Sequence, residues 1–103
     1  RDPAGTDRVL SVLLERLAGI WGVTSAEIRS GSRRRTTTQA RAAVAAAAVT
    51  GLGVSTTRAA RALGVGPAAI CQAIAHGLEL LQARGINPDR LGKDLLKTVK
   101  LNK

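Results

Sequence analysis

The 103 residues carry 16 Lys and Arg against 7 Asp and Glu, a formal charge of +9, with one cysteine, one histidine and one aromatic residue. A chain of this size makes one small domain with a core of Leu, Ile, Val and much Ala, and lone Cys71 and His76 supply neither a disulfide framework nor an ordinary zinc site within the chain. Trp21 alone does not provide the several stacking rings with which proteins commonly grip single strands or RNA loops.

The charge is concentrated. Residues 1–27 sum to −1 and residues 79–103 to +3, while +7 falls between them. Arg29, Arg33, Arg34, Arg35, Arg41, Arg58 and Arg61 all lie in that window, which holds no acidic residue. A polyanion is the natural partner. The longest apolar run, Ala42 to Val49, is too short to span a bilayer, no signal-peptide pattern opens the chain, and the arginines sit in a loop and on short segments rather than on the lysine-rich face of an interfacial helix. Double-stranded DNA is therefore expected as the partner, and no membrane. A start at Arg1 and the lack of methionine point to a processed product or a domain of a longer protein, and the lone cysteine fits a reducing, cytoplasmic setting.

In chain order, Val9, Leu10, Val12, Leu13, Leu14, Leu17 and Ile20 recur at helical spacing, with Thr6 or Asp7 as cap and Gly22 after the end. Thr24 and Glu27 then stand in capping-box spacing, which predicts a short helix over about 25–30 that stops at Gly31. The basic stretch follows as a loop. A third helix begins within Thr36 to Thr38 and runs to about Thr50, ended by Gly51 and Gly53. Its alanines favour helix and permit close approach from several sides, so it is expected at the centre with Val44 buried.

Ser55 caps a two-turn helix through Leu63, Gly64 to Gly66 form a tight turn, and Pro67 opens a longer helix. This is the helix-turn-helix pattern. On the longer helix Ile70, Ile74, Leu78 and Leu81 share one face; Ala68, Gln72, Ala75 and Glu79 lie opposite, with Ala69 and His76 beside them. Cys71 reads as a small buried hydrophobe beside the packed face. A lysine-bearing segment over about 89–101 is expected to form a helix that frays.

The loop arginines Arg33, Arg34 and Arg35 read either as a solvated charge run or as phosphate ligands. Their company favours the second, since Thr36, Thr37 and Thr38 add hydroxyls and the third helix adds free N–H groups. Arg58 and Arg61 suit the backbone flanking a groove. Gln72 reads either as an exposed surface residue or as a partner for adenine, and the methyls of Ala68 and Ala69 suit thymine. His76 reads as an exposed helix residue before it reads as a DNA ligand. The carboxylates form no acid/base pair, and there is neither a Ser, His and Asp constellation nor a phosphate-binding Gly-Lys loop. The expectation is no enzyme, no catalytic residue, no metal or other cofactor and no small-molecule substrate. A basic helical module that docks an acidic protein is the other class in play.

The order of a leading helix, "GVTSAEIRSGSRRRTTTQARAAVAAAA" and a helix-turn-helix resembles the C-terminal DNA-binding domain of the bacterial replication initiator DnaA, of the Trp-repressor-like fold, over roughly residues 8–84. That family carries an Asp-His-Thr-Thr signature where this chain has "GPAAICQA". The closer resemblance is to the version appended to transposases of the REP-associated tyrosine type, which varies at this point. The resemblance implies an all-α DNA-binding domain associated with the bacterial nucleoid, with 85–103 as a C-terminal extension. It also implies that the Arg33 to Arg35 loop enters or borders the minor groove, that Arg41 meets phosphate, and that Ala68, Ala69, Gln72 and His76 reach major-groove bases. Transposase chemistry needs a tyrosine nucleophile and histidine ligands, so with no Tyr and one His any such activity belongs outside these residues.

Overall fold

The computed structural model describes residues 3–101, with side chains from 7 to 98. Arg1, Asp2 and Lys103, counted in the charge above, lie outside them, as do the side chains of Thr6, Lys100 and Leu101. Among the described residues there are six α-helices and no strand: α1 (Pro3–Trp21), α2 (Ser25–Arg29), α3 (Arg35–Ala46), α4 (Thr56–Leu63), α5 (Pro67–Ala83) and α6 (Pro88–Leu101). The domain is all-α. No helix among the described residues is long and apolar enough to cross a membrane.

Helix α1 starts earlier than its apolar pattern suggests. Pro3 is tolerated in a first turn, where its missing N–H has no intrahelical partner in any case. Thr6 and Asp7 therefore lie inside the helix rather than capping it. Leu13, Leu14 and Leu17 are buried, whereas Ile20 closes the stripe at 39% exposed.

The alanine-rich α3 is the centre of the fold. Ala40 and every residue from Ala42 to Ala48 are buried, with Val44 at 2% exposure. Helix α5 crosses α3 at Gly77, where an added Cβ would collide with the Ala42 carbonyl and the Ala46 methyl. The contact is backbone against backbone, which only small residues on both helices permit. Beyond Ala46 the chain widens into a π turn, Ala47–Gly51, whose exit is marked by Leu52 N–H donating to the Ala47 carbonyl five residues back at 3.1 Å.

That turn is the seat of α6. Gly51 and Gly92 meet there so closely that a side chain on either would strike the other strand of backbone: Pro88 carbonyl for Gly51, Gly51 carbonyl for Gly92. Leu95 is 0% exposed and belongs to the same core cluster as Leu13, Ile28, Leu63 and Ile70. Through residue 98 one face of the segment expected to be a frayed extension is thus packed on the core, through the close approach of Gly51 and Gly92 together with Leu95. Residues 102–103 of that segment lie outside the described residues.

Candidate nucleic-acid interface

The basic loop hangs between two well-anchored ends. At its start, Glu27 N–H donates to Thr24 Oγ1 at 3.1 Å and Thr24 N–H donates to Glu27 Oε1 at 3.0 Å, completing the capping box of α2. The other oxygen of the same carboxylate accepts from Arg34 Nη1 at 3.2 Å. On the inner side, Arg41 Nε donates to the Ile28 carbonyl at 3.0 Å and Arg41 Nη2 to the Ser32 carbonyl at 3.1 Å. Partial burial lowers the Arg41 pKa from its ordinary value by desolvation, yet a guanidinium stays charged in proteins.

Arg41 is therefore a brace. One of its donors is spent on the backbone of α2 and one on that of the loop, and it is only half exposed. Arg33, Arg34 and Arg35 are exposed; Arg35 is the first residue of α3 rather than part of the loop, which α3 enters through an extended Arg34 with no side-chain cap.

The threonines divide. Thr38 is exposed, whereas Thr37 is 0% exposed and its hydroxyl has no hydrogen-bond partner. Its expected place among the phosphate ligands is corrected on that ground: in the first turn of α3 the side chain at 37 shares the buried face of Ala40 and Val44 and points into the core.

Gly64 connects the loop to the helix-turn-helix pattern. It ends α4 in the left-handed conformation at φ +72°, and a Cβ there would stand 3.2 Å from the Arg29 carbonyl. The turn into α5 thus rests on the end of α2 where the arginine loop begins. The end of α2, where the loop begins, lies against the C-terminal end of α4.

On α5, Ile70, Gly77 and Leu81 are buried and Ile74 and Leu78 half-buried. Ala68, Ala69, Gln72, Ala75 and His76 are exposed. Cys71 is also exposed, contrary to its reading as a buried hydrophobe; α3 covers only a narrow strip of α5 centred on Ile70 and Gly77, and a residue about 100° from Ile70 falls outside it. His76 Nδ1 stands 4.0 Å from Glu79 Oε1. On α4, Ser55 Oγ accepts from Arg58 N–H at 3.1 Å. Arg58 and Arg61 come together, with Ser55 and Thr57, on a groove of about 420 Å³ completed by Leu52, Gly53 and Val54. Arg58 Nη2 also donates to Asp7 Oδ1 of α1 at 3.0 Å.

The chain was compared with models of protein families, with characterised proteins and with solved structures. It matches none. The site therefore stands on its own geometry. That geometry adds Arg29, exposed beside the turn, and Ser55 and Thr57 of the groove. Arg29 carries the same charge signal as the loop arginines. The part played by Ser55 and Thr57 needs the fold, because a capping serine and its neighbour have no distinctive pattern of their own.

Proposed function

We propose that this chain binds double-stranded DNA sequence-specifically, with α4, its turn and α5 acting as a helix-turn-helix and the arginine loop supplying most of the affinity. One observation carries the reading: Gly64, at the turn into α5, lies against the Arg29 carbonyl, so the arginine-rich segment begins next to a helix-turn-helix whose second helix has an exposed, charge-poor start. A helix with short side chains at its start enters a major groove while cations beside it neutralise phosphates. The Arg58–Arg61 groove is the second phosphate seat. The resemblance to the transposase-appended version of the DnaA C-terminal domain supports placing the chain as the recognition module of a transposase-like bacterial protein, with the chemistry carried elsewhere.

The test is titration of duplexes at several salt concentrations. Counterion release makes log K fall by about 0.9 per phosphate contact for each log unit of salt. After selection of a preferred duplex, Gln72→Ala is expected to weaken binding to it by about 1 to 3 kcal/mol and to leave scrambled duplex almost unchanged. Arg61→Ala is expected to weaken both alike. Binding to an acidic protein with no affinity for duplex at low salt would sink the proposal in favour of a docking module.

A further inference from the structure

We infer that the base pairs beneath α5 are A·T-rich and are recognised through thymine methyl groups around one adenine, without an arginine-to-guanine contact. The inference rests on the duplex-binding proposal and names the class of sequence it selects. From Pro67 to Ala83 there is no lysine or arginine. Guanine in the major groove is most often read by Arg or Lys paired with its O6 and N7. Within the helix-turn-helix itself the side chains able to do so are Arg58 and Arg61 of α4 and Arg84 at the end of α5, and two of the three are engaged within the protein. Arg84 lies 4.4 Å over the Trp21 ring and donates to the Ile20 carbonyl at 3.2 Å, and Arg58 is held by Asp7. Arg61 lines the groove of α4 rather than the exposed face of α5.

What α5 does present is methyl groups and one amide. Ala68 and Ala69 occupy its first turn, both exposed, and Ala75 lies one turn beyond Gln72. An alanine methyl neither donates nor accepts, and the major-groove feature that complements it is the C5-methyl of thymine. Side chains this short also let the helix axis come close to the base edges, since a helix about 10–12 Å wide must fit a groove of about 12 Å. Gln72, at the centre of the face, has the amide geometry for adenine N6 and N7. The neighbouring arginines reinforce the same choice: the side chains of Arg33 in the loop and Arg35 at the start of α3 are exposed without hydrogen-bond or ion-pair partners among the described residues, and A-tract minor grooves are narrow and attract arginine.

The experiment uses the 103-residue chain. A preferred duplex is selected from a random library, and affinity is then measured on that duplex, on the same duplex with deoxyuridine in place of thymine, and on scrambled duplex with and without the same replacement. Uracil keeps every hydrogen bond of thymine and lacks only the methyl. The expected results are an A·T-rich core in the selected sequence, a loss of about fourfold for each methyl contacted, and no change from deoxyuridine on scrambled DNA. A selected core built on G·C pairs, or equal affinity for thymine and deoxyuridine duplexes, overturns this inference and leaves the duplex-binding proposal standing. Failure to bind any duplex at low salt overturns both.

Discussion

Thr37 shows how one position can pass from surface to core without a change in the sequence signal. Three threonines beside three arginines look alike as phosphate ligands, and only the rotation of α3 decides which of them meets solvent. Thr37 is 0% exposed and its hydroxyl lacks a partner, a buried polar group whose desolvation is not compensated. Thr37→Val replaces that hydroxyl by a methyl of similar size. It is expected to stabilise the fold by about 1 kcal/mol, read as a higher urea midpoint at unchanged slope, and to leave duplex affinity untouched. A lower midpoint would mean that the hydroxyl finds a partner in solution. Arg41 makes the same point for a charged side chain: composition sees one more cation in an acid-free window, while the fold spends two of its donors on the Ile28 and Ser32 carbonyls.

Helices were the most legible feature of the chain where their ends carry chemistry. The Thr24–Glu27 capping box, the Ser55 cap, the Gly64 turn and Pro67 mark α2, α4 and α5 to within a residue or so, because each is a local solution to unpaired backbone groups. What joins the helices was not legible, since it depends on the missing side chains of glycine at long separation in sequence. The seating of α6 on Gly51 and Gly92 and the crossing of α5 on α3 at Gly77 are of this kind. Cys71 escaped for a related reason: an alanine helix covers a narrower strip of its neighbour than leucines would. Gly77→Ala isolates the effect. Helix propensity alone would favour alanine by about 1 kcal/mol, but its methyl would meet the Ala42 carbonyl, so the helices must separate. The expected outcome is destabilisation by about 1 to 3 kcal/mol in urea unfolding; a gain in stability would show that the two backbones are not in contact there.

Across the whole molecule the charge is divided between arginines that hold the protein together and arginines that face outward. Arg41 braces the loop, Arg84 covers Trp21 and Arg58 reaches Asp7, whereas Arg33 and Arg35 make no such contact among the described residues and Arg34 makes only the ion pair with Glu27, its side chain 71% exposed. An exposed pair of that kind contributes little to stability. Arg35, moreover, is a cation in the first turn of α3, where the helix dipole disfavours positive charge. Changing Arg33, Arg34 and Arg35 together to Ala is therefore expected to keep the helical circular dichroism and the melting temperature of the parent chain. Duplex binding should fall below measurement at moderate salt. At low salt, where residual binding is measurable, the slope of log K against log salt should be shallower by about 0.9 for each phosphate contact removed. The slope is the decisive reading, because a mutant that lost affinity through a distorted α5 would retain its phosphate contacts and its salt dependence. An unchanged slope with unchanged affinity would make the loop a solvated run of charge, and the cations that meet DNA would then have to be sought in the Arg58–Arg61 groove.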